Sequence, residues 1–160
     1  MAAMTAGVAM VMSVPAQAAG CWSQTAYEAA QLRDFDTMLM VATLRCRINS
    51  VDFSADYNRF VREKRPILAA ANRELRGQFA LRVGRAKALD AYDDYVTKIA
   101  NGYGGGNEKM SCGDYARMAH AAVTAPVSRP ALVALAGQAG ANPRVPGQRC
   151  GVAVALNEKP

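Results

Sequence analysis

The sequence predicts an all-α protein, an up-down bundle of about four to five helices stapled by two disulfides. Three observations predict it. Apolar residues recur at spacings of three and four through most of the chain, the signature of amphipathic helices. Ala and Leu outnumber Val and Ile, which suits helix better than sheet. The four cysteines include no C-x-x-C pair, so they fit crosslinks better than metal ligation.

The first 18 residues read as a leader. Ala2 to Val14 carries no charge, and a run of that length is shorter than the roughly 20 residues a bilayer span needs. Pro15 and the small-residue triplet Ala16-Gln17-Ala18 follow, as at a secretory cleavage site. The departure from the pattern is that no Lys or Arg precedes the apolar run. Residues 1–18 are therefore expected to be a signal peptide, and 19–160 a single helical domain in the periplasm or beyond. Ala18-Ala19-Gly20-Cys21 also resembles a lipobox without its large aliphatic residue, so lipid anchoring through Cys21 is an alternative. It would leave three thiols, an awkward number in an oxidising compartment.

The first helix is expected from Ser23 to Arg47, with Leu32, Phe35, Leu39, Ala42 and Cys46 along one seam that Met38 and Val41 widen. Asn49-Ser50 supplies a turn, and Ser54 an N-cap with Phe53 before it. From Ala55 to about Leu81 the pattern is helical again, and Pro66 should kink or split it near Lys64-Arg65. A third helix runs from about Arg85 to Ala100, with Leu89, Tyr92, Val96 and Ile99 inward. Asn101-Gly102 should end it, and Tyr103 to Met110 should form a glycine-rich loop. A fourth helix covers about Asp114 to Thr124. A fifth, capped by Ser128 with Pro130 in its first turn, ends near Ala139. From about residue 140 the chain reads as an extended tail around Cys150.

Helix geometry prunes the crosslinks. Cys21 and Cys46 flank one helix and so stand roughly 37 Å apart, at about 1.5 Å per residue. A disulfide needs Cα atoms within about 7 Å, which excludes that pair. If the long helices alternate direction, Cys46 and Cys112 meet at one end, which leaves Cys21 for Cys150. The expected pairs are Cys46–Cys112 and Cys21–Cys150.

For function, the chain carries a net charge of +6 and a pI near 9.4. Between Arg59 and Lys87 stand nine Lys or Arg and two acids, Glu63 and Glu74. At about 100° per residue, Arg59, Arg62, Arg65, Arg73 and Arg76 fall within about a third of one helix's circumference. This basic face is the candidate binding site, for an anionic envelope polymer, a lipid head group or a protein. No aromatic residues interleave with it, so nucleic acid is not indicated. His120, on a short Ala-rich helix, has no nucleophile to activate once the cysteines pair. Asp90, Asp93 and Asp94 lie near a helix N-terminus, where the macrodipole favours acids, and read as a solvated face. Gly102 to Gly106 follows a helix rather than a strand, so it is a connector and not a phosphate cradle. Neither a metal nor a cofactor is indicated.

The runs Thr37 to Cys46, Tyr57-Asn58-Arg59-Phe60-Val61 and Tyr92-Asp93-Asp94-Tyr95 resemble a group of small exported bacterial proteins, mainly alphaproteobacterial, without an established function. Some members carry the label S-adenosylhomocysteine hydrolase, yet this chain has no dinucleotide-binding fingerprint. The resemblance implies export and a helical fold, and carries over no catalytic residue. The expectation is an exported binding or structural envelope protein, more a binder than an enzyme. The alternatives are a small hydrolase built on Glu28, Glu63 or Glu74, or a chaperone-like assembly subunit.

Overall fold

A computed structural model describes residues 21–106 and 110–151. The expected leader lies outside them. Helix α1 (Gln24–Ile48) is the axis of the bundle, and every other helix packs against it. Ser23 caps it by accepting the Ala26 N–H at 3.1 Å. The five seam residues from Leu32 to Cys46 are all buried, together with Met38.

The single run expected from Ala55 to Leu81 is two helices, α2 (Ser54–Glu63) and α3 (Arg65–Val83), divided at Lys64. Pro66 lies in the first turn of α3, where its missing N–H costs no helical bond. The split lets the two halves take different partners: α2 packs mainly on α5, and α3 on α1 and α4. Ser54 opens α2 but does not cap it. Its N–H is accepted by the Asp52 carboxylate at 2.9 Å. Gly84, at φ +81°, then turns the chain through a short 3₁₀ segment, Arg85–Lys87.

Helix α4 (Ala88–Gly104) outruns its expected end, and Asn101 and Gly102 stay helical. The Tyr103 hydroxyl, anchored on α1, holds the extra turn, so tertiary contact overrides the local stop signal. Leu89, expected inward, is 53% exposed, while Tyr92 and Tyr95 take the buried face. Gly106, at φ +89°, passes so close to Arg45 that any Cβ would strike the guanidinium.

Helix α5 (Cys112–Thr124) begins with a full capping box between Ser111 and Asp114. Helix α6 (Arg129–Gln138) has the expected Ser128 cap and Pro130 in its first turn. The chain then runs back as a strap to Trp22. The Trp22 N–H donates to Gln148 O and the Cys150 N–H to Trp22 O, both at 2.8 Å. Trp22 itself is fully buried, edge-on to Phe79. Both expected disulfides form, with Cα separations of 5.1 Å for Cys21–Cys150 and 5.5 Å for Cys46–Cys112. Cys21 is bonded to Cys150, and none of the four cysteines is free. Among the described residues no helix is long and apolar enough to cross a membrane.

Candidate functional site

All five arginines of the expected basic face are exposed, but the break at Lys64 distributes them over two helices. Arg59 and Arg62 stand on α2; Arg65, Arg73 and Arg76 stand on α3, within about 80° of one another at 100° per residue. Two are engaged. Arg59 pairs with Glu63 at 2.7 Å, and the Arg76 guanidinium lies 5.2 Å from the centre of the Tyr92 ring. Arg62, Arg65 and Arg73 form no ion pair among the described residues, partly because Glu74 is claimed by Arg129 at 2.8 Å.

A second feature is concave. The middle of α1, the second half of α4 and the strap after α6 enclose a cleft of about 680 Å³. Asp34 lines it from α1, Tyr95 and Tyr103 from α4, and Asn142 from the strap; Lys98 and Arg144 are its exposed cations. The Tyr103 hydroxyl donates to Asp34 Oδ1 at 2.9 Å. The Tyr27 hydroxyl donates to Asn142 Oδ1 at 2.9 Å and ties the strap to α1. The Tyr95 side chain is buried, and its hydroxyl has no hydrogen-bond partner among the described residues. A buried hydroxyl without a partner forfeits a hydrogen bond that water had supplied.

Asp34 and Asp36 are both buried on α1, and the contrast between them identifies the functional candidate. Asp36 is satisfied from within: Arg33 donates to it at 2.8 Å and the Tyr57 hydroxyl at 3.2 Å. Burial still pushes its pKa up, with Arg33 and Tyr57 pulling back. Asp34 has no ion-pair partner among the described residues. Burial raises its pKa, opposed by the Tyr103 hydroxyl and the Asn142 backbone N–H. A carboxyl whose folded pKa lies above its unfolded value contributes stability that is complete below the unfolded value, about 4. That stability is lost as pH rises through the folded pKa. At neutral pH Asp34 therefore costs stability. The Tyr95 and Tyr103 hydroxyls are pushed well above the usual phenol range, first by burial and then by the Asp34 charge.

The acids named from the sequence lie elsewhere. Glu28 and Glu74 both hold Arg129, and Glu63 holds Arg59. Asp90, Asp93 and Asp94 are exposed. His120 is exposed on α5, its Nδ1 3.3 Å from Asp56. Among the described residues, no three His, Cys, Asp or Glu side chains gather as metal ligands would. Sequence reasoning missed Asp34, Tyr95 and Tyr103. The signal for Asp34 was an acid between Leu32 and Phe35 in the middle of an apolar helix. No family model, curated protein or solved structure matches this chain.

Proposed function

We propose that this chain is an exported binding protein that admits a small ligand to the cleft between α1, α4 and the strap. The carrying observation is the pair of polar groups buried there: among the described residues the Asp34 carboxyl has no ion-pair partner and the Tyr95 hydroxyl no hydrogen-bond partner. Burying both groups costs stability, and a bound polar molecule would offset that cost. Export is supported by the two disulfides, which persist in oxidising compartments. Binding is favoured over hydrolysis because, among the described residues, Asp34 is the single carboxylate lining the cleft, and the tyrosines beside it hold their protons firmly.

Two variants test the reading by thermal shift against a broad panel of small acids, sugars and amines. Gly102 lines the cleft, and a Cβ there would meet nothing within 4 Å. Gly102→Leu should grow into the cleft and abolish stabilisation by any hit, while its helix propensity keeps the fold at least as stable. Asp34→Asn should also lose the hit. It should be more stable than the parent at pH 7, a gain that vanishes as pH falls to about 4. A panel without one hit sensitive to Gly102→Leu would end the cleft reading.

The arginine face supports a second reading, as a dock for an anionic polymer or lipid head group. The observation favouring it is that Arg62, Arg65 and Arg73 are exposed without ion pairs among the described residues. Retention on an anionic matrix should fall steeply with salt. Exchanging all three for Gln should reduce retention severalfold and leave the melting temperature within about 2 °C, as is usual for surface changes. Unchanged retention at low salt would reduce the face to ordinary solvated charge.

A further inference from the structure

The cleft also constrains the chemistry of its ligand; this step rests on the reading that the cleft binds a small molecule. We infer that it takes a small hydroxylated carboxylate of the sugar-acid type, with a hydroxyl at Asp34 and Tyr95 and the carboxylate at Lys98 and Arg144.

The inner groups call for a hydroxyl. One Asp34 oxygen, Oδ1, already accepts the Tyr103 hydroxyl, and the Asn142 side-chain oxygen already accepts from Tyr27. The Asn142 backbone N–H also bonds the Asp34 carboxyl, so what the wall leaves over is the hydrogen-bonding capacity of that carboxyl beyond these two donors, and the Tyr95 hydroxyl. An alcohol is both donor and acceptor, so one ligand hydroxyl can serve the two together. An ammonium group offers donors alone. It would answer Asp34 but would also face Lys98 and Arg144.

The outer groups call for an anion. Lys98 on α4 and Arg144 on the strap are exposed, line the cleft, and form no ion pair among the described residues. Two cations against one buried carboxyl leave the cleft net positive, which attracts an anion and repels an amine. A guanidinium and an ammonium lining one cleft both suit a carboxylate, because the first binds in a fork and the second as a point charge. The remaining lining, Ile99, Gly102, Gly140 and Pro143, offers small or apolar surface for a carbon skeleton. A volume of about 680 Å³ lies within the usual range of small-molecule sites.

Isothermal titration with four probes tests the assignment: galacturonate, galactose, butyrate and glucosamine. Galacturonate should bind at least tenfold more tightly than the other three, which lack its carboxylate, its hydroxyls, or its negative charge. The pair Lys98→Gln and Arg144→Gln should weaken galacturonate about tenfold and leave galactose unchanged. Tyr95→Phe should weaken galacturonate severalfold without loss of thermal stability, since the hydroxyl it removes has no partner. Preference for glucosamine, or equal affinity for butyrate, would overturn the ligand class. If Gly102→Leu blocked that binding, the cleft reading would still stand. No binding of galacturonate would also overturn the class, while the cleft reading fails only if the broad panel yields no hit that Gly102→Leu abolishes.

Discussion

Lys64→Ala is expected to destabilise the protein by about 3 kcal/mol, lowering the melting temperature by roughly 10 °C. The side chain is almost completely buried. Its Nζ donates to two carbonyl oxygens at the end of α5, Val123 at 3.0 Å and Ala125 at 2.5 Å. These are carbonyls that the helix cannot satisfy itself, and a cation is favoured at that pole of the dipole. Backbone and side chain of Lys64 act on different elements. Its N–H closes α2 on Phe60 O, its own carbonyl accepts from Ile67 and Leu68 at the start of α3, and its ammonium reaches across to α5. Alanine keeps the elbow but strands both carbonyls and leaves a void where the stem lay. Burying an ammonium is itself costly, so Lys64→Met is the informative control. Methionine fills the volume without donating, and denaturant melts should place it about midway between parent and Lys64→Ala. If Lys64→Met matched the parent, the hydrogen bonds to α5 would contribute nothing net and the lysine would act as packing alone.

The parts of the fold that were legible in the sequence are those fixed by local geometry. The seam from Leu32 to Cys46 follows from helical period alone, and both disulfides follow from the length of a rigid helix and the direction of its neighbours. The break near Lys64 followed from Pro66. Its consequence did not: a lysine in a run of basic residues looks solvated, and only the separate docking of α2 and α3 turns it inward. Asp34 and Asp36 were missed for a related reason. Both sit about 100° to either side of Phe35, at the edge of the apolar seam. On a helix packed from one side those positions meet water. Helix α1 is enclosed by all the others, and residues 34–39 are buried without interruption. How far a central helix is wrapped is set by long-range packing, which a period cannot report. Tyr95 and Tyr103 were invisible on the same ground, since they matter only where α4 crosses Asp34.

Removing the Cys21–Cys150 bridge by a Cys21→Ser/Cys150→Ser double change should produce the largest loss of all, about 5 kcal/mol. The bridge spans 129 residues, and the chain-entropy cost of closing a loop grows with the logarithm of its length. The Cys46–Cys112 bridge spans 66 and on the same grounds contributes about 4 kcal/mol. The two also differ in what they hold. The strap from Ala139 to Gly151 supplies Gly140, Asn142, Pro143 and Arg144 to the cleft, and the first bridge pins its far end beside α1. Other contacts share that work: Trp22 Nε1 donates to Pro146 O at 2.6 Å, Arg149 donates to Gln24 at 2.7 Å, and its guanidinium lies 3.9 Å from the centre of the Tyr27 ring. A loss near 5 kcal/mol would consume most of a small domain's stability, so the variants are best compared by denaturant midpoint in the cold. The Cys21→Ser/Cys150→Ser protein should unfold at lower denaturant than Cys46→Ser/Cys112→Ser, and any ligand of the cleft should bind it more weakly. If the order is reversed, the Trp22 and Arg149 contacts hold the strap without the sulfur bond. Loop length would then be the wrong basis for ranking the two bridges.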